Sequence, residues 1–379
     1  MLTPEKASAV ALFNAAVDAV AGYNATYRAV LAFEDFKPDQ IIAVGKAASG
    51  MCAGALAALT TPCNALLVTK YDHTDKAMQE AEQVSVIEAA HPVPDHNSLR
   101  AGETMLATVQ ALPKDSRLLL LVSGGASALS EALPEDVSLE QWQQLTNTML
   151  AAGFNIGQIN TRRKETSLIK DGKLLEPFQG LEVRVLAISD VEGDSISVIG
   201  SGTGDTKRCH AKNRIDLIGT NEVARLAAEQ HASSLGLSVK ANQEIMYQDV
   251  VALANDLYQR LDSAEPGVYI FGGEPTVQLP ENPGCGGRNQ ALALELAVRF
   301  SGRDNITVLV AGTDGSDGPT DAAGGLIDGS TVSDSQSKQA ATKALLAANS
   351  GHYLREHESL FITGPTNTNV MDLVIAIIH

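Results

Sequence analysis

Six short apolar segments of this chain each end in a polar loop, and most of these loops are rich in glycine. The loops begin near residues 45, 124, 189, 272, 312 and 364. Short apolar runs bounded by such loops predict buried strands, and helical patterns follow several of them. Strands that alternate with helices indicate an α/β protein, in which ligands bind at the carboxyl ends of the strands.

The densest of these loops, AGTDGSDGPTDAAGG, follows the apolar run 306–310. The run predicts a buried parallel strand. Glycines let backbone N–H groups approach an anion, and the carboxylates of Asp314 and Asp317 suit a hard cation such as Mg²⁺ held together with phosphate oxygens. The alternative is an acidic surface turn, because Gly, Asp and Ser dominate ordinary turns.

Two loops in the first half of the chain are candidate anion sites. Lys46 lies where the predicted strand 41–44 gives way to a helix N-terminus, although a surface lysine is the simpler interpretation of any single Lys. The strand 117–122 opens into a second cradle, formed by Ser123, Gly124, Gly125 and Ser127. The spacings of a P-loop and of a serine-hydrolase elbow are both absent.

Two further sites carry positive charge. Arg163 and Lys164 belong to the densest basic cluster in the chain, which is either a phosphate-binding segment or a solvated turn of a helix. Arg288 follows a glycine-rich turn at a predicted helix N-terminus. Its guanidinium can reach outward there and bind a phosphate or a carboxylate with two parallel hydrogen bonds.

Composition excludes several classes of protein. The net charge of −17 argues against nucleic acid and acidic membrane surfaces as partners. Four cysteines lie far apart with no CxxC pair, which predicts a reducing cytoplasm and no zinc site. The N-terminus does not have the pattern of a signal peptide, and no apolar run reaches the roughly 20 residues of a membrane span.

A change of character near residue 237 predicts two α/β domains, 1–237 and 238–379, with an active-site cleft between them. The first domain is expected to be Rossmann-like, with a largely parallel sheet and a helix at 138–152. The last strand, 372–378, is placed in the second domain or returns to the first.

Taken together, the motifs resemble the type II glycerate kinases, the family whose C-terminal portion is called the MOFRL domain. The resemblance covers nearly the whole chain and rests on eight motifs in order: VGKAASGM (44–51), HPVPDHNS (91–98), VSGGASAL (122–129), ISDVEGDSISVIGSG (188–202), GGEPTVQ (272–278), GCGGRNQ (284–290), AGTDGSDGPTDAAGG (311–325) and TGPTNTNV (363–370).

The resemblance implies phosphorylation of D-glycerate by ATP with Mg²⁺, usually at the 2-hydroxyl. A homo-oligomer is compatible with the sequence, which does not fix the oligomeric state. Lys46 would hold the transferring phosphate, Arg288 the glycerate carboxylate or a phosphate, and Asp314 and Asp317 the metal. Asp190 is the first choice for the base. The remaining residues expected to contact substrate or nucleotide are Ser123, Gly124, Gly125, Ser127, Arg163, Lys164, Glu274, Asn289 and Thr313. Of these, Glu274 would orient Arg288 or the metal.

Two alternatives from other classes remain open. A nicotinamide-dependent hydroxypyruvate reductase would require a G-x-G-x-x-G turn with an acidic residue roughly 20 positions later, and neither is found. A non-catalytic binder of nucleotide or sugar acid would not need so many acids beside the glycines.

Overall fold

A computed structural model describes residues 2–151 and 156–379 of the chain. The chain divides into two compact units. The N-terminal unit comprises Val20–Thr220, and the C-terminal unit comprises Asn221–His379 together with the residues up to Ala19. Each unit has its own six-stranded sheet and its own apolar core. In the described ranges, no helix combines the length and the apolar character needed to cross a membrane.

The N-terminal unit alternates strands and helices along the chain. Its strands are β1 (Gln40–Val44), β2 (Asn64–Lys70), β3 (Val84–Ala89), β4 (Arg117–Val122), β5 (Glu182–Ile188) and β6 (Lys212–Gly219). The helices, of which the first is shared with the other unit, are α1 (Pro4–Val20), α2 (Gly22–Leu31), α3 (Ala48–Ala58), α4 (Lys76–Gln79), α5 (His96–Ala111), α6 (Ala126–Leu129), α7 (Leu139–Ala151) and α8 (Ile156–Thr166). Two short 3₁₀ helices are Glu192–Asp194 and Ile199–Gly202.

The sheet of the N-terminal unit is entirely parallel, with the strand order β3-β2-β1-β4-β5-β6. Residues 118–122 of β4 are completely buried, as expected for a central strand covered by helices on both faces. The order reverses between the neighbours β1 and β4. In doubly wound sheets the carboxyl ends of these two strands frame the ligand site, because the chain leaves them toward opposite faces.

The C-terminal unit begins with α9 and ends with a strand. Its strands are β7 (Val239–Glu244), β8 (Gly267–Gly273), β9 (Ile306–Gly312), β10 (Gly324–Asp328), β11 (Leu360–Phe361) and β12 (Asp372–Ile378). Its helices are α9 (Asn221–Ser234), α10 (Val250–Leu261), α11 (Arg288–Arg299), α12 (Ser335–Leu346) and α13 (Ser350–Glu356).

The sheet of the C-terminal unit is mixed, with the order β11-β10-β9-β12-β8-β7. Only β7 and β8 pair in parallel, while β12 runs antiparallel to both of its neighbours, β8 and β9. The register places Asp372 opposite Gly273 on one side and opposite Gly312 on the other. The start of β12 therefore lies at the same sheet edge as the ends of β8 and β9.

Several sequence-based predictions differ from this architecture. The parallel assignment of 306–310 is wrong, because β9 pairs antiparallel with both β10 and β12. By contrast, the strand 372–378 lies in the second sheet, as its placement in the second domain predicts, and does not return to the first. The boundary at 237 lies inside the C-terminal unit, since α9 and the chain up to Ala19 belong there. Residue 152 of the predicted helix 138–152 is outside the described residues.

Candidate active site

The loops after β1 and β4 are joined directly at the switch point of the N-terminal sheet. The backbone N–H of Lys46 donates to the Gly124 carbonyl at 2.9 Å, and that of Ala47 donates to the Ser123 hydroxyl at 3.1 Å. Gly45 has φ +129°, and a Cβ there would lie 2.2 Å from Ser123 Oγ. Only glycine permits this approach, so Lys46 is placed beside the glycine–serine loop (residues 123–127).

The side chain of Lys46 passes over this loop. A Cβ built on Gly125 would lie 3.1 Å from Lys46 Cγ and 3.3 Å from His91 Cδ2. Burial, together with the charges of Lys46, Lys70 and Arg163, lowers the pKa of His91 to about 4. His91 is therefore neutral near pH 7, and the surroundings of the loop are electropositive within a chain that is strongly acidic overall.

Asp190 follows β5 and lies on the other side of the same loop. A Cβ on Gly124 would lie 2.0 Å from Asp190 Oδ2, so the carboxylate packs directly against the glycine backbone. The structure thus brings together Lys46, Gly124, Gly125 and Asp190, which the sequence analysis had placed at three separate strand ends. Parallel register explains this, because Val44, Val122 and Ala187 are aligned across β1, β4 and β5.

The remaining predicted residues of this unit have different environments. Ser127 Oγ lies 2.6 Å from Ser201 Oγ, which donates to Asn160 Oδ1 at 3.1 Å. Arg163 is buried, with 9% of its surface exposed, so the solvated-turn interpretation does not hold for it. The backbone carbonyl of Lys164 accepts a hydrogen bond from Lys173 Nζ at 2.8 Å.

The C-terminal unit presents an ionic cluster at its own sheet edge. Arg288, the first residue of α11, donates to Asp372 through Nε at 2.6 Å and through Nη2 at 3.2 Å. Its Nη1 lies 2.9 Å from Glu274 Oε1, which supports the prediction that Glu274 orients Arg288. Burial lowers the pKa of Arg288, but the hydrogen bond and charge of Asp372 and the charge of Glu274 outweigh it and raise the pKa overall.

Asp317 caps a helix that begins about 30 residues earlier in the chain. Its two carboxylate oxygens accept the backbone N–H groups of Asn289 at 3.1 Å and Gln290 at 2.8 Å, in the first turn of α11. Burial raises the pKa of Asp317 to about 6, while these two N–H groups oppose the shift. Both oxygens are thus engaged with α11, which leaves Asp317 less suited to a metal than the sequence analysis predicts.

Asp314 and Thr313 occupy the turn after β9. The carboxylate of Asp314 accepts the N–H of Ser316 at 2.9 Å and is half-buried. The hydroxyl of Thr313 is buried, donates to the Met371 carbonyl at 2.7 Å and accepts from the Val370 N–H at 2.9 Å. Thr313 therefore fixes the turn to the segment before β12. Over residues 2–151 and 156–379, no group of three or more His, Cys, Asp or Glu side chains converges on a metal position.

Neither Asp372 nor His91 is among the candidate site residues that the sequence predicts. Asp372 is 1% exposed and is the strongest partner of Arg288, although 84 positions separate them. One signal was available: it is the only charged residue opening an otherwise apolar final strand. The signal for His91 was its position just after β3, because the carboxyl ends of parallel strands lie at one edge of the sheet.

A doubly wound parallel sheet that presents a lysine, a glycine–serine loop and an aspartate at its switch point defines an α/β enzyme acting on an anionic small molecule. Comparison with known families agrees. The model described as "Domain of unknown function (DUF4147)" matches residues 8–232, and the model described as "MOFRL family" matches residues 267–372.

Similar proteins extend over most of the chain. The D-glycerate 2-kinase of Thermotoga maritima is 34% identical, with 89% of this chain and 90% of that protein aligned. The glycerate 2-kinase of Pyrococcus horikoshii is 31% identical over 89% of this chain and 87% of its own. The crystal structure of a glycerate kinase from Thermotoga maritima superposes with a TM-score of 0.88 at 31% identity, covering 99% of both chains.

The chain belongs to the glycerate kinase family built from the DUF4147 and MOFRL domains. The resemblance noted from the sequence motifs is thereby confirmed, as is the α/β fold.

Proposed function

We propose that this protein is a glycerate 2-kinase, which transfers the γ-phosphoryl group of ATP to the 2-hydroxyl of D-glycerate. The observation that carries the proposal is the placement of Lys46 and Asp190 on two sides of one glycine–serine loop. A cation for the transferring phosphoryl group and a carboxylate for the hydroxyl proton are the two charged groups that this reaction requires from a protein.

Each element of the N-terminal loops has a role in this proposal. The ammonium of Lys46 stabilises charge on the transferring oxygens, and the loop supplies backbone N–H donors from Gly125 and Ser127. Asp190 accepts the hydroxyl proton. Arg163 and Lys164 add positive charge for the anionic substrates, which the overall negative field of the chain would otherwise repel.

Arg288 is proposed to orient a bound anion with part of its guanidinium, because the rest of the group is engaged within the protein. A guanidinium has five N–H donors, and three of them are directed to Asp372 and Glu274. The side chain remains 34% exposed, so its other two donors are available to a carboxylate or phosphate. The contacts with Asp372 and Glu274 fix the direction of these two donors, so Arg288 is better suited to orienting a substrate than to binding it strongly.

Use of ATP together with Mg²⁺ is part of the proposal. Mg²⁺ is usually held by one or two carboxylates plus phosphate oxygens, so a kinase site needs no dedicated cage of protein ligands. Asp314 fits this requirement, because its carboxylate is half-buried and, among the residues that the structure describes, accepts one hydrogen bond, from the Ser316 N–H. We also place the enzyme in the cytoplasm, where its four free cysteines would stay reduced.

A coupled assay tests the function. ADP release should require Mg²⁺ and D-glycerate or a close 2-hydroxy acid from a panel of sugar acids, and the product should be 2-phosphoglycerate. The hydroxypyruvate reductase alternative makes the opposite prediction. Oxidation of NADH or NADPH by hydroxypyruvate at a rate above ATP-dependent glycerate turnover would overturn the kinase proposal.

A further inference from the structure

Two ionisable side chains, Glu131 and Lys170, are completely buried behind the glycine–serine loop and have no part in the proposed reaction. Both have 0% of their surface exposed. Burying a charged group is unfavourable unless the group is paired or hydrogen-bonded. Well-packed apolar residues at the same positions often give a protein that is equally stable or more stable. Their contacts therefore indicate what the two charges do.

Lys170 binds the end of the short helix that carries Ser127. Its Nζ donates to the Ser130 carbonyl at 2.5 Å and lies 3.4 Å from the Ala126 carbonyl. The Ala126 carbonyl also accepts the backbone N–H of Ser130 at 3.2 Å, whereas the Ser130 carbonyl lies just past the end of the four-residue α6, where helix acceptors lack intrahelical donors. A cation at this position satisfies them and fixes the helix end.

Glu131 connects the same loop to the segment that contains Lys170. Its Oε1 accepts the Ala132 N–H at 3.0 Å and the hydroxyl of Ser167. The Ser167 hydroxyl oxygen is in turn 3.3 Å from the N–H groups of Ile169 and Lys170. The carboxylate thus holds residues 167–170 against the chain that follows the glycine–serine loop.

The segment reaches Ser127 from a second direction. The N–H of Asp171 donates to the Ser201 carbonyl at 3.0 Å, and Ser201 Oγ lies 2.6 Å from Ser127 Oγ. Ser127 is therefore fixed both through α6, by Lys170, and through Ser201, by the residue after Lys170.

We propose that Glu131 and Lys170 are positioning residues, which hold the glycine–serine loop in the geometry that phosphoryl transfer requires. The inference rests on the proposed kinase activity. Because positioning of reacting groups accounts for much of the rate in phosphoryl transfer, loss of either residue should lower kcat more than it raises KM.

A pH profile distinguishes this role from simple packing. Burial lowers the pKa of Lys170, the charge of Glu131 opposes this shift and the charge of Arg163 adds to it, so that the pKa is about 8. These are the two charged groups that face Lys170. As the pH rises through about 8, Lys170 becomes neutral and loses its attraction to Glu131, so kcat should fall on the alkaline side.

The test compares Lys170→Met with the double variant Glu131→Gln/Lys170→Met. Removing the lysine alone leaves the buried Glu131 carboxylate with the charge of Arg163 but without that of Lys170. This should lower both the unfolding midpoint and kcat, the latter by roughly 10²-fold. Neutralising both residues should recover part of the midpoint, because the buried carboxylate is no longer charged, although the buried Arg163 loses the charge of Glu131. In this variant kcat should stay low and its alkaline decline should disappear. The matched control is Lys76→Met/Glu80→Gln, an exposed pair with 3.6 Å between Nζ and Oε1 in the same unit.

Recovery of kcat in the double variant to within about twofold of wild type, or an unchanged alkaline decline, would assign Glu131 and Lys170 to packing alone. Hydrogen–deuterium exchange of residues 123–130 adds a readout that does not need turnover. Faster exchange in the variants, confined to this loop, supports the positioning role. Failure of the wild-type protein to phosphorylate glycerate would reject the kinase proposal but would leave this result standing. Ser167→Ala serves if the other variants do not fold, and unchanged kcat and loop exchange in it would contradict the inference.

Discussion

At the scale of single residues, Lys46 is the group on which the proposed chemistry depends most. Replacement by Met keeps the length and removes the charge. Loss of one well-placed donor to developing charge costs on the order of 10²- to 10³-fold in kcat. We expect this loss for Lys46→Met in steady-state assays, with little change in the unfolding midpoint.

Lys114→Met is the matched control, because Lys114 is exposed in the same unit and precedes the start of β4, whereas the glycine–serine loop follows the end of that strand. Near-normal turnover of Lys46→Met would show that the lysine is not part of the catalytic machinery.

The acids separate into two proposed roles, metal ligand and base. Asp314→Asn removes a charge but keeps a weaker oxygen ligand, so excess Mg²⁺ should restore part of its activity. Asp190→Asn keeps the geometry and loses proton acceptance, so added metal should not help. Titrating Mg²⁺ against the rate of each variant measures the difference, and rescue of Asp190→Asn alone would reverse the two assignments.

Asp317→Asn is titrated with Mg²⁺ in the same way. Because Asp317 caps α11, this variant should have a lower unfolding midpoint, and added metal should not restore its activity.

At the scale of elements, the loops after β4 and β5 approach so closely that residue 124 must be glycine. An added methyl group would meet Asp190 Oδ2 at 2.0 Å, so the carboxylate must move. A displacement of about 1 Å at a reacting group can cost on the order of 10²-fold in rate. Gly124→Ala should therefore lower kcat strongly in the coupled assay, with at most a modest loss of stability.

Gly236→Ala provides the comparison, since that glycine has φ +74° and open space around it. The backbone strain there should cost roughly 1–2 kcal/mol of stability with no effect on kcat. Equal turnover of the Gly124 and Gly236 variants would contradict the placement of Asp190 against the loop.

The same elements show what sequence could predict. An apolar run that ends in glycine is a local signal, so the strand ends at Gly45, Ser123 and Ser189 were found from the residues alone. Their convergence followed from the parallel register that alternating strands and helices imply. The loops of the N-terminal unit were therefore largely predictable.

The C-terminal unit was less predictable, because its contacts join distant parts of the chain. A fully buried strand is apolar on both faces in either direction, so nothing in 306–310 distinguished antiparallel from parallel pairing. Because β10 begins with two glycines, the sequence pattern there indicated a loop rather than a strand. Asp317 caps a helix 27 residues upstream of it, whereas cap signals read from sequence are local.

At the scale of the whole molecule, two groups make opposing contributions to the pH dependence of stability. The pKa of His91 is lowered from 6.5 to about 4. Between these values the unfolded chain binds more protons than the folded one, so the free energy of unfolding rises with pH over this window. The pKa of Asp317 is raised from 3.8 to about 6. Here the folded chain retains the proton, so the free energy of unfolding falls as the pH rises over a similar window.

Because the two slopes overlap, the wild-type protein should show a shallow pH dependence between about pH 4 and 6.5 from these groups, and the variants should separate them. His91→Gln removes the rising contribution. Its free energy of unfolding, measured with urea, should therefore increase relative to that of wild type as the solution is acidified, by at most about 2–3 kcal/mol. Asp317→Asn removes the falling contribution and should lose stability relative to wild type over the same acidification. Parallel curves for wild type and His91→Gln from pH 4.5 to 6.5 would mean that His91 titrates normally. It would then be in contact with water, and the electropositive surroundings inferred for the glycine–serine loop would have to be revised.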